Sequence, residues 1–160
     1  DLARDDISAY PFLFFTGLDN FVLTGKQIDA LQKHLNSGGT LVVNNALGLA
    51  TFHQAVVREM RRAFPQSDLA LLPQSHEIFR NLNSIQRVKY TPTLMKDKGE
   101  QLQGRPVLFG AKVGGRLCLL YSPYDLEGGW NEVRYPLSRG YQSASAKQLG
   151  CNVIMYAMEH

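Results

Sequence analysis

The chain has 160 residues, of which 44% are hydrophobic and 19% charged, with a formal net charge of +3. A single domain of this length buries about two-thirds of the surface its unfolded chain exposes, and so small a charge is no footprint for nucleic acid or an anionic membrane. No apolar run reaches the ~20 residues that cross a bilayer.

The chain opens on Asp-Leu-Ala-Arg-Asp-Asp, with no initiator methionine and no signal peptide, which reads as part of a longer protein. Pro11–Phe15 is an apolar run ended by Thr16-Gly17 and reads as an interior strand, its carboxyl end being the loop Gly17-Leu18-Asp19-Asn20. Thr24 with Gln27 three residues on forms a capping box. Ile28, Leu31 and Leu35 make the buried stripe of the helix it starts, and Asn36-Ser37-Gly38-Gly39 stops it.

Thr40-Leu41-Val42-Val43 is short and apolar on both faces, as a strand covered on two sides requires. Asn44, Asn45 and a loop through Gly48 follow it. A second amphipathic helix carries Leu49, Phe52, Val56, Met60 and Phe64 inward, with His53, Gln54, Arg58, Arg61 and Arg62 on its other face, and Pro65 ends it. Strand, helix, strand, helix in succession predict a parallel sheet with right-handed crossovers.

Leu69–Leu72 reads as a short strand curtailed by Pro73, and Ser75 as the cap of a short helix through Phe79. Ile85–Tyr90 reads as a weak strand and Thr91–Gly104 as a surface excursion. Pro106–Lys112 and Arg116–Ser122 are β-rich runs joined through Val113-Gly114-Gly115, a hairpin signal. Pro123–Trp130 is a loop holding the sole tryptophan. The last helix, about Ser143 to Met158, turns Ala146, Leu149, Val153 and Tyr156 or Ala157 inward.

In an open α/β sheet, ligands bind beyond the carboxyl ends of the strands. There Asn44 and Asn45 are a hydrogen-bonding pair for a polar or anionic ligand, or else caps of their own loop. Amides do not titrate near neutral pH, which favours binding over catalysis. Tyr124, Asp125 and Trp130 form an aromatic and carboxylate wall for a polar ring, or else a loop pinned by its tryptophan. Cys118 and Cys151 read as buried small hydrophobes rather than a disulfide or a metal pair. His34 and His53 fall on predicted helix surfaces, His76 at a turn and His160 at the end, so no metal set forms. Arg58, Arg61 and Arg62 read as a solvated basic face.

The ordered landmarks YPFLFFTG, GGTLVVNN, FHQAVVREMRRAFP, SHEIF, YDLEGGW and GCNVIMYAM, from Tyr10 to Met158, resemble domain of unknown function (DUF) family 4159. That bacterial family is related in fold to the class I glutamine amidotransferases. The resemblance implies a three-layer, flavodoxin-like α/β domain with a mostly parallel sheet and an antiparallel edge hairpin. It also implies a further strand-helix unit before Tyr10 in the full-length protein, and a bacterial cytoplasmic or envelope location.

The departures from the pattern bear on chemistry. The glycine-histidine after the first strand is Gly17-Leu18 here, and the two acidic residues after the central strand are Asn44 and Asn45. Ala46 stands in the loop where amidotransferases hold their cysteine, and Ser122-Pro123 where their histidine follows a late strand. The expectation is a non-catalytic binding or interaction domain, without cofactor or metal, its site drawn from Gly17, Asn44, Asn45, Tyr124, Asp125 and Trp130. Its partner would be a small polar ligand or another protein domain. The alternative is a hydrolase acting on a small polar or carbohydrate substrate through Asp125 or Glu127.

Overall fold

The computed structural model describes residues 2, 5–133 and 135–160. Strands β1 (Phe12–Gly17), β2 (Thr40–Asn45), β3 (Ala70–Leu71), β4 (Phe109–Val113) and β5 (Arg116–Ser122) form one sheet in the order β1-β2-β5-β4-β3. Helices α1 (Gly25–Asn36), α2 (Ala50–Ala63), α3 (Pro92–Leu102), α4 (Glu127–Trp130) and α5 (Ser143–Glu159) complete the mixed α/β fold. β1, β2 and β5 pair in parallel, while β5 with β4 and β4 with β3 pair antiparallel, so β4 alone runs against the rest.

Local chemistry sets the elements. Thr24 and Gln27 close both halves of the expected capping box: Gln27 N donates to Thr24 Oγ1 at 3.3 Å, and Thr24 N to Gln27 Oε1 at 2.9 Å. Gly38, at φ +102°, supplies the left-handed turn from α1 into β2. Gly114 and Gly115, both at positive φ, make the two-residue turn between β4 and β5.

Alternation along the strands divides the core in two. Leu41 and Val43 pack with Leu31, Leu35, Phe52, Val56 and Met60 of α1 and α2. Val42 and Leu120 pack with Leu94, Leu149, Val153 and Tyr156 of α3 and α5. Each such side chain, fully buried, contributes roughly 1.5–3 kcal/mol. The β4–β5 register slips at Ala111/Lys112, where Cys118 is the extra residue. That bulge sends both Cys118 and Leu119 to the same cluster.

Several expectations change. The composition of Pro11–Phe15 predicts an interior strand, yet β1 is the edge, half-buried along most of its length. The hairpin is not itself the edge: β5 sits between β2 and β4, and β3 borders β4. Leu69–Leu72 contracts to the two residues of β3. The Ile85–Tyr90 strand does not form, and Tyr90 makes only an isolated bridge to Tyr141.

The Thr91–Gly104 excursion contains α3, because Thr91 caps it, Pro92 fits its first turn and Leu94 anchors it in the core. His76, not Ser75, caps the short 3₁₀ turn Glu77–Phe79, its Nδ1 accepting from Ile78 N at 3.2 Å. The loop ending at Trp130 closes in the single turn of α4. Cys118 is buried as expected, whereas Cys151 is exposed on the outer side of α5.

Candidate functional site

Asn44 is the penultimate residue of β2, between β1 and β5, with its side chain wholly buried. Its Nδ2 donates to Thr16 Oγ1 at 3.2 Å and to Asp125 Oδ1 at 3.4 Å, and its Oδ1 accepts from Leu126 N at 2.9 Å. The amide thereby joins the carboxyl ends of β1 and β2 to the loop after β5. Asn45 turns into its own loop. Its Oδ1 accepts from Leu49 N at 3.0 Å and its Nδ2 donates to Leu49 O at 2.9 Å, bracketing the start of α2. Within that bracket Leu47 adopts φ +59°, a conformation uncommon for a branched side chain.

Asp125 is 3% exposed. Its Oδ1 accepts from Gly128 N at 3.0 Å as well as from Asn44, and its Oδ2 accepts from Ser138 Oγ at 3.2 Å. Its backbone is stitched to the segment before α5: Asp125 N donates to Arg139 O, and Tyr141 N donates to Asp125 O, both at 3.0 Å. Gly140 lies so close that a Cβ there would stand 2.4 Å from Asp125 O. A carboxylate so placed supplies acceptors for three neighbouring donors.

Of the six residues singled out from the sequence, Asn44 and Asp125 touch directly. Asn45 adjoins Asn44 but faces α2. Tyr124 packs edge-on to Tyr90 and Tyr141, with centroids 5.9 and 6.5 Å away, and burial pushes its phenol pKa up. Trp130 leans on Phe14 at 5.2 Å and donates from Nε1 to Ala146 O at 2.6 Å. It covers Gly150, where a Cβ would stand 2.4 Å from that nitrogen. Gly17 is glycine for space, since a Cβ there would stand 2.2 Å from the Phe52 ring. Glu127 is half-buried at the start of α4.

A second polar chain, which no local sequence pattern marks, lies beside Asn45. Tyr121 OH lies 3.0 Å from His53 Nδ1, and Asn45 Nδ2 approaches the same hydroxyl at 3.5 Å. The His53 ring stacks on Tyr121 with centroids 5.7 Å apart. His53 is thus half-buried rather than on a helix surface, and burial, then the charge of Lys98, pushes its pKa down. His34 is likewise buried, with Nε2 unpartnered among the described residues and pressed against Gly39.

The basic face of α2 is also not wholly solvated. Arg58 and Arg62 flank the buried Glu59, whose Oε2 accepts from Leu23 N at 3.0 Å, and both arginines reach carbonyls of the β1–α1 loop. Burial opposes ionisation of Glu59. Hydrogen bonds from Arg58 and Leu23, with the charges of Arg62 and Arg58, outweigh it and hold the pKa below the ordinary glutamate range. A cavity of about 660 Å³ lies at the other end of the sheet, beside the starts of β1 and β2.

Fold and site together define a mixed α/β domain whose polar strand-end residues are tied up within the chain. The chain belongs to the family described as domain of unknown function (DUF4159), which matches residues 1–158. No curated protein matches it. Among the described residues no helix is long and apolar enough to cross a membrane, and no group of three or more His, Cys, Asp or Glu is placed to hold a metal ion.

Proposed function

We propose that this is a non-catalytic domain on the three-layer, flavodoxin-like plan of the class I glutamine amidotransferases, serving as the interaction part of a larger bacterial protein. The observation that carries this reading is the closure of the strand ends. Asp125, the carboxylate there, is 3% exposed and accepts from Asn44, Gly128 and Ser138. A general base needs hydrogen-bond reach to a substrate, and this carboxylate reaches its own chain instead. Ala46 and Pro123 supply neither the nucleophile nor the base of amidotransferase chemistry. Asn44, Asn45, Tyr124, Asp125, Trp130 and Gly17 act in this reading as the clasp that fixes loops at the sheet's carboxyl edge.

A thermal-shift screen against sugars, nucleotides, amino acids and divalent metals tests it. A ligand at ~100 times its dissociation constant adds roughly 2.7 kcal/mol. In a domain of this size that is a rise of several degrees, at about 2–4 °C per kcal/mol. The expected result is no such rise with any of these classes. A reproducible rise would overturn the interaction reading in favour of a small-molecule site.

A further inference from the structure

We propose that the solvent face of α5 is a docking surface for a second copy of this chain, the two α5 helices packing antiparallel about a two-fold axis. The inference goes beyond the reading above. It concerns the side of α5 turned away from the sheet, and it stands whether or not the strand ends bind a ligand.

A helix at the surface of a domain buries one stripe and leaves a polar face in water. α1 exposes Lys26, Asp29 and Lys33, and α2 exposes Gln54, Arg58, Arg61 and Arg62. α5 departs from this. Its buried stripe includes Ala146, Leu149, Val153 and Tyr156, and its opposite face carries Ala144, Lys147, Cys151, Ile154 and Met158. All five are exposed, Ile154 by 43% and Met158 by 77%. Asn81 and Asn83 both bond to carbonyls of α5, which brings the exposed Leu82 to its flank.

The five positions advance in alternating steps of three and four, the heptad seam by which two helices pack knobs into holes. A single exposed apolar residue needs no explanation, but an apolar seam along a 17-residue helix marks a protein contact.

Charge selects the occupant and its direction. Lys147 and Glu159 are the only charged residues of α5, one toward each end. Parallel helices about a two-fold axis would set Lys147 against its own copy. In the antiparallel pair Cys151 faces Ile154 of the second copy, and the Lys147 stem lies along Met158 of the second copy. The ammonium then reaches Glu159 of the second copy. Lys147 also meets Glu132 of its own chain, and an ammonium has three donors. A face basic at one end, acidic at the other and apolar between is complementary to itself, as an isologous contact requires.

One helix from each chain is a small interface, so the dissociation constant should be on the order of 10–100 μM. Sedimentation equilibrium from ~5 to ~500 μM chain tests this. The expected result is a species of 17.9 kDa passing to twice that mass as concentration rises. Ile154→Lys should weaken the dimer at least ~10-fold, and far-UV circular dichroism checks that this exposed substitution leaves the fold intact. Lys147→Glu and Glu159→Lys should each weaken it roughly 3-fold or more, and the two together should restore it. Alkylation of Cys151 should slow as chain concentration rises, while the buried Cys118 stays unreactive throughout.

A monomer at every concentration would overturn the proposal. So would a dimer that Ile154→Lys leaves intact, or one in which Cys151 reacts as fast as in the monomer. A double charge reversal no better than the single ones would overturn it too, because antiparallel self-pairing requires the recovery.

Discussion

Asn44 and Asp125, 81 positions apart in sequence, meet at 3.4 Å across the carboxyl end of the sheet, amide donating to carboxylate. Around that contact the chain ties the end of β2 to the loop after β5 and to the segment before α5. The polar residues that look most like a binding site are therefore also holding three separated segments together.

Asp125→Ala should be strongly destabilising. It leaves the donors of Gly128, Ser138 and Asn44 without their acceptor in a buried place. Each unsatisfied group costs about 1–3 kcal/mol, so a loss of roughly 3 kcal/mol or more is expected. Asp125→Asn keeps one acceptor and should lose less. Urea unfolding midpoints check both, and an alanine variant as stable as the parent would contradict the clasp.

Glu59 should make stability sensitive to acid. Its folded pKa lies below the unfolded value of about 4.5, so its contribution is present above that pH and is lost as pH falls through the folded pKa. Chemical denaturation between roughly pH 5 and 2.5 should show a steeper fall for the parent than for Glu59→Gln. Arg58 and Arg62 are 44% and 46% exposed, so salt should reduce the difference.

His53 should act in a higher window. Burial lowers its folded pKa below the ordinary 6.5, so the unfolded chain binds the proton first. Stability is then full above about pH 6.5 and declines as pH falls toward the folded value. His34 and His76 are pushed the same way by burial, so His53→Gln should remove only part of the slope. An NMR titration of the His53 ring should give a midpoint below 6.5.

Gly150→Ala should displace the only tryptophan. The new methyl would overlap the Trp130 ring, and overpacking of this kind costs about 1–3 kcal/mol. Trp130 emission should shift to the red as its half-buried ring moves off α5 and loses the bond to Ala146 O. Unchanged emission and stability would show that α5 does not hold the ring this way.

Asn152, wholly buried on α5, should matter as much as any apolar core residue. Its Nδ2 donates to Ile78 O at 2.8 Å and Asn83 O at 2.9 Å, and its Oδ1 accepts from Asn83 N at 2.8 Å. Asn152→Ala should cost about 2–4 kcal/mol by stranding these groups. Exchange of the Asn83 amide should accelerate before the rest of the chain.

Local rules were legible wherever the deciding atoms lie close in sequence. The Thr24 box, the stop at Gly38, the stripe of Phe52, Val56 and Met60, and the turn at Gly114-Gly115 each depend on spacings of a few residues, and each forms. α3 was missed because its single deeply buried side chain, Leu94, leaves almost no periodic signal. The roles of Glu59 and His53 were hidden because a charged or polar residue on a helix reads as solvated until its partner arrives. Those partners, Leu23 and Tyr121, are 36 and 68 positions away.

The sequence by itself determined the alternation of apolar strands and amphipathic helices, and with it the α/β class, since side-chain period and capping are properties of neighbouring residues. Only the tertiary structure decided that Asn44 reaches Asp125, that Gly17 makes room for Phe52, and that β1 stands at the edge with two apolar faces. Those outcomes depend on which strand lies beside which, and strand order is set by contacts between distant segments that no local pattern records.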